Sequence, residues 1–257
     1  MKIPAITGWH WLKQGFALFR KQPAALITLL FANILFSVTI SSLPWIGTPL
    51  VSLLIPAFSM SFMKACVMID NGVRVTPAVL LTGFRKPAFP ALAKVGLIYV
   101  GVAVLLTAIL HFSLDPAVLK QMDGVTDPKD MPEGAASIGL TVLLVIALQM
   151  ATLMALAFAA PLTYWQKMGP GKATFYSFFA VMRNLRAFLV MLLSWCGLIM
   201  GLVWLLPMLF GTGYAVRVVM LWMSFLFALL LQCAFYAAYR HIFGKPEEAT
   251  AAVSLKK

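Results

Sequence analysis

The chain has 257 residues, of which 62% are hydrophobic and only 11% charged, where a soluble domain carries about 25% charge. With a mean hydropathy of +0.93, it cannot hide its apolar surface as a soluble globule, and it is far too apolar to be disordered. A polytopic membrane protein remains, and its formal charge of +12 is first a question of membrane sidedness rather than of nucleic acid.

A bilayer-crossing helix needs about 20 apolar residues, and six runs qualify. Residues 8–23 precede the first. They are amphipathic, with Trp9, Leu12, Phe16 and Phe19 on one helical face and His10, Gln14 and Lys21 opposite. Span one is 24–43, expected to stay uncleaved because it starts late, runs long and lacks a small-x-small site. Span two is 45–68, with Pro56 and Lys64 inside it; Lys64 is expected to snorkel to the inner surface. A short segment, 77–87, leads to span three, 92–113. The longest connection, 114–135, opens with Asp115-Pro116, a helix-start signal, and Gly124 is a candidate helix end. Its acids lack the spacing of a calcium loop. Span four is 136–165, with Pro161 a candidate kink, and Trp45 and Tyr164-Trp165 are expected as interface anchors. Residues 172–187 carry a second aromatic stripe, Phe175, Phe178, Phe179 and Met182, before span five, 187–210, and span six, 215–239. Residues 244–257 read as a flexible cytoplasmic tail. Nothing alternates with period two over about ten residues, so a β-barrel is excluded. The fold class is all-α, a single membrane domain of six transmembrane helices.

Every Lys and Arg except Lys120, Lys129 and Arg217 falls on one side of these spans. Asp115, Asp123, Asp127, Asp130 and Glu133 fall on the other. The positive-inside rule therefore predicts both termini in the cytoplasm. The excess charge needs no nucleic-acid partner.

The segments before the odd-numbered spans are alike. Each is aromatic or apolar and ends in basic residues: Arg20 and Lys21, then Arg85 and Lys86, then Arg183 and Arg186. This predicts three units, 8–72, 76–168 and 172–243, each an interfacial helix plus a transmembrane hairpin. The six basic residues are candidates for anionic headgroups, each worth about 1 kcal/mol near a charged surface. The opening Gly8-Trp9-x-Trp11-Leu12-x-x-Gly15-x-x-Leu18-Phe19-Arg20-x-x-Pro23 resembles a family of uncharacterised six-helix inner-membrane proteins of Gram-negative bacteria. More distantly, the units resemble the membrane domains attached to some glycerophosphodiester phosphodiesterases. The resemblance implies topology and location; it transfers no catalytic residues.

Catalytic and metal chemistry are not expected. His10, His111 and His241 fall on different elements, and the three cysteines, Cys66, Cys196 and Cys233, form no Cys-x-x-Cys and read as small packing residues. No phosphate loop or nucleophile motif occurs, and no cofactor is implied. Asp70 is expected to pair with Arg74 at i+4. Asn33, Gln149 and Gln232 lie deep in the spans and must find partners between helices or line a polar pathway. Close helix contacts are expected at Gly197-x-x-x-Gly201 and at the row Ala147, Ala151, Ala155 and Ala159, within the bundle first and at a homodimer seam second. The function these features favour is a non-enzymatic scaffold or accessory protein of the envelope, touching membrane lipids. A small-molecule or lipid transporter is the alternative, and an intramembrane lipid-modifying enzyme the lesser one.

Overall fold

A computed structural model describes residues 3–113 and 135–246. The described elements are α1 (Thr7–Lys21), α2 (Pro23–Ser41), α3 (Gly47–Asp70), a 3-10 helix (Pro77–Phe84), α4 (Ala88–Ser113), α5 (Ala135–Leu156), α6 (Ala159–Trp165), α7 (Pro170–Arg183), α8 (Leu185–Phe210) and α9 (Tyr214–Phe243). Six membrane spans follow, with α5 and α6 together forming the fourth. The expected helix start at Asp115-Pro116 and most of the expected tail lie outside the described residues.

Proline sets several boundaries. Gln22 precedes Pro23 and takes φ −144°, ψ 64°, so α1 ends and α2 starts with Pro in its first turn. Pro170 opens α7 in the same way, after an extended Gly169. Pro161 has no N–H for the carbonyl four residues back, and span four breaks where that carbonyl lies, at 157–158. Polar groups from elsewhere seal the break. Tyr99 Oη donates to the Leu156 carbonyl at 3.2 Å. Ser177 Oγ, on α7, donates to the Ala155 carbonyl and accepts from the Phe158 N–H at 3.1 Å. Several hydroxyls elsewhere in the spans bond within their own helices: Thr28 donates to Ala24, Thr152 to Leu148 and Ser224 to Met220.

The core is concentrated at the end of the bundle that carries the basic residues. Buried side chains cluster at the start of α2, α4 and α8 and at the end of α3 and α9. At the other end, large apolar residues such as Phe112, Leu143, Trp204 and Met208 face outward. That surface suits lipid tails, which are as apolar as leucine. Span two is the most buried of the six. Cys66 and Cys233 bring it against span six with their sulfurs 3.6 Å apart, as packed thiols.

The interfacial segments are clamped to the bundle. The 3-10 helix packs on α3, α7 packs on α5 and α6, and α1 packs on α9 and α8. The 3-10 helix thus rests on span two, α7 on span four and α1 on span six.

The packing of α1 differs from the expected aromatic stripe. Its inner face is Gly8, Trp11, Gly15 and Leu18, all buried, whereas Phe16 is exposed. A Cβ on Gly8 would lie 2.0 Å from the Ala187 carbonyl oxygen, and one on Gly15 would lie 2.7 Å from the Ala234 nitrogen. Only glycine allows these backbones to meet. Between them Trp11 is fully buried against Phe188, with ring centroids 5.1 Å apart, and its indole N–H donates to His241 Nδ1 at 3.1 Å. The stripe on α7 likewise faces out, at Phe175, Phe178, Phe179 and Met182, while Ala173, Ser177 and Val181 form its inner face.

Two packing expectations are corrected. Nothing in the described residues lies within 4 Å of a Cβ built on Gly197 or Gly201, because both sit on an exposed, outward face of α8. The alanine row is graded: Ala147 and Ala151 are exposed, Ala155 is half-buried, and Ala159 is buried where span four reaches the core. Trp45 is 96% exposed, in keeping with an interface anchor, but Trp165 packs on Tyr239 with ring centroids 5.1 Å apart.

Candidate functional site

Three polar arrangements stand out. The first is an ion-pair cluster at the basic end. Helix α3 stops at Asp70, and Gly72 turns the chain with φ 72°. Arg74 therefore sits on an extended, exposed stretch rather than one helical turn from Asp70, and the expected i+4 pair is replaced. Arg240 Nη1 donates to Asp70 Oδ1 at 2.7 Å, Lys245 Nζ lies 3.4 Å from Oδ2, and the Tyr236 hydroxyl donates to Oδ2 at 3.2 Å. One carboxylate thus ties span two to span six. Beside it, Gln22 holds the extended stretch as a neighbouring strand would: Nε2 donates to the Val73 carbonyl at 2.9 Å and Oε1 accepts from the Val75 N–H at 3.0 Å.

The second arrangement is a cavity of about 730 Å³ at the same end. Its walls come from α3, the 3-10 helix, the start of α4 and the end of α6. Lys64, Arg85, Lys86 and Lys167 line it, together with Thr76, Thr82 and Tyr164, and none of its lining residues is acidic. The Lys64 ammonium lies 5.8 Å from the centroid of the Tyr164 ring, a cation–π distance. Six residues before the end of α3, Lys64 sits about 9 Å along the helix from its terminus. Half-buried there, it adds its charge to the lining of the site. Of the six basic candidates, the cavity gathers Arg85 and Lys86. Arg183 and Arg186 line a separate surface depression near Ile3 and Pro4. Arg20 and Lys21 are exposed at the end of α1, with Arg20 over the Phe16 ring at 6.0 Å. Lys64 and Lys167 were missed as site residues because they lie a hundred positions apart and share no motif.

The third arrangement is a slot of about 250 Å³ between α2, α3 and α9 in the middle of the spans. It brings together Asn33 and Gln232, with Ser37 and Ser59. Gln232 Nε2 donates to Ser59 Oγ at 2.8 Å, whereas Asn33 Oδ1 is buried without a hydrogen-bond partner. Gln149 is half-buried on α5 and does not join them.

No protein-family model matches the chain, and no solved structure matches it. A relative does: probable inner membrane protein BTH_II0599 of Burkholderia thailandensis is 34% identical over 256 residues, covering 96% of this chain and 94% of the relative. Near-complete coverage at that identity, together with six apolar spans, places the chain in the same family as this probable inner membrane protein.

Proposed function

We propose that this protein is a non-enzymatic component of the inner membrane that binds anionic phospholipid headgroups at its basic end and so organises neighbouring envelope components. The observation that carries the reading is the walled cavity lined by Lys64, Arg85, Lys86 and Lys167 with no acid among its lining residues. Such a site attracts anions, and its position at the end of the spans puts it at headgroup depth. The outward aromatic face of α7 and the exposed Phe16 of α1 add surface suited to the interface. Native mass spectrometry of the purified protein tests this. Phosphatidylglycerol and cardiolipin should be retained over phosphatidylethanolamine, and Arg85→Gln with Lys86→Gln should weaken that retention. Equal retention of all three lipids would sink the reading.

The same reading sets the basic end and both termini in the cytoplasm. A cysteine introduced at position 123 should label from outside, and one at position 172 only after permeabilisation; the reverse pattern overturns the orientation. A second reading, transport of a small molecule or lipid, is favoured by the unpartnered Asn33 carbonyl in the mid-span slot. An unsatisfied amide there costs about 1–3 kcal/mol unless something binds it. If Leu at positions 33, 149 and 232 leaves lipid scrambling or uptake in proteoliposomes unchanged, the polar-pathway reading fails.

A further inference from the structure

We propose that the basic cavity takes a terminal phosphate, a phosphomonoester with two negative charges, in preference to the singly charged phosphodiester of ordinary anionic phospholipids. This rests on the anionic-headgroup reading above and narrows it to one class of group. Charge is the first argument. Four cations from three separate stretches of chain share one cavity, and no lining residue is acidic. Their mutual repulsion is relieved more by a dianion than by a monoanion. The same lack of acids disfavours zwitterionic headgroups, whose ammonium would meet only like charge.

Donor geometry is the second argument. A terminal phosphate presents three strong acceptor oxygens, and the cavity offers charged donors from several directions. Arg85 and Lys86 are exposed between the 3-10 helix and α4, Lys167 is exposed just after α6, and Lys64 on α3 is half-buried. The hydroxyls of Thr76, Thr82 and Tyr164 lie on the same walls. The start of α4 is not the anion site, because the Ala88 and Phe89 N–H groups both donate to the Arg85 carbonyl, at 3.1 and 3.2 Å. The side-chain cations therefore do the recognition. The volume leaves room beyond the phosphate for a glycerol unit, so the group can belong to a phosphatidate-type lipid or to a soluble phosphomonoester.

Affinity measurements on the full-length protein in detergent test the proposal with five probes: phosphatidate, phosphatidylglycerol, phosphatidylethanolamine, inorganic phosphate and glycerol 3-phosphate. At about pH 8 phosphatidate should bind about tenfold more tightly than phosphatidylglycerol, and at about pH 5, below the second phosphate ionisation, that advantage should vanish. Phosphatidylglycerol keeps its single charge throughout that range, so its binding should hardly change. The cavity variant Arg85→Gln, Lys86→Gln, Lys167→Gln alters only exposed side chains. It should lose the phosphatidate preference, while Arg20→Gln with Lys21→Gln keeps it. Binding of glycerol 3-phosphate as tight as that of phosphatidate assigns the site to a soluble compound; weak binding of both soluble probes assigns it to a lipid. Equal, pH-independent binding of phosphatidate and phosphatidylglycerol, both weakened by the cavity variant, overturns the phosphomonoester preference and leaves the anionic-lipid reading standing. No binding of either lipid above phosphatidylethanolamine overturns both.

Discussion

Replacing Asp70 by alanine tests the contact that joins the basic ends of spans two and six. The Asp70 side chain is 11% exposed, that of Arg240 35% and that of Lys245 45%. A hydrogen bond to a charged group contributes about 1.5–3 kcal/mol. The partial exposure of Arg240 brings its share to the lower end, about 1.5–2 kcal/mol. Lys245 is farther away and more exposed, so it contributes less than about 1 kcal/mol. The Tyr236 hydroxyl bond to Oδ2 is lost as well, adding about 0.5–1.5 kcal/mol, so Asp70→Ala should cost about 2–4 kcal/mol in total. The assay is a reversible SDS titration in mixed micelles followed by tryptophan fluorescence, run as double-mutant cycles with Arg240→Ala, Lys245→Ala and Arg74→Ala. Coupling to Asp70 should be about 1.5–2 kcal/mol for Arg240, below about 1 for Lys245 and near zero for Arg74. Raising the salt to about 0.5 M should erase the Lys245 coupling and leave most of that to Arg240. A coupling to Arg74 as large as that to Arg240, or a neutral Asp70→Ala, would refute the interhelical assignment.

Gly15→Leu should destabilise the fold by about 1–3 kcal/mol, because the new side chain must push α1 off the Ala234 backbone; the same substitution at Gly201, where nothing lies within 4 Å, should be near neutral in the same titration. Gln22→Leu removes both hydrogen bonds to the 73–75 stretch and leaves that backbone unpaired, so hydrogen exchange at Val75 should speed up well before global unfolding; unchanged exchange there would count against the clamp. Ser177→Ala strips the partner from the Phe158 N–H and the Ala155 carbonyl at the break in span four, and should cost about 1–3 kcal/mol. Ser224→Ala, whose hydroxyl bonds only within its own helix, is the control and should change stability by under about 0.5 kcal/mol.

The bundle class and the number of spans were legible from the residues because a bilayer imposes a one-dimensional rule. Each span must be long and apolar, and the basic residues collect at one side, whatever the helices do laterally. Boundaries followed where proline acts locally, at Pro23 and Pro170. The break in span four followed from Pro161, but the groups that seal it did not. Tyr99 and Ser177 reach it from other elements, 57 and 19 residues away.

Lateral contacts were not legible. In lipid, helices that are apolar all round show no moment to mark the protein-facing side. Gly197 and Gly201, spaced as packing residues, face outward, while Gly8 and Gly15 make the close approaches. A signal for the second pair was present in the face Gly8, Trp11, Gly15 and Leu18, but the neighbouring aromatic stripe outweighed it.

The amino-acid sequence by itself settled the class, the six spans and the segregation of charge, because those depend on local composition against a slab of fixed thickness. Only the tertiary structure decided which polar groups meet. Arg240 replaced Arg74 as the partner of Asp70 from 170 residues away, Asn33 met Gln232 rather than Gln149, and Lys64 and Lys167 joined Arg85 and Lys86 in one cavity. The physical reason is that close packing and helix termination choose neighbours in space, and nothing in a local apolar run records them.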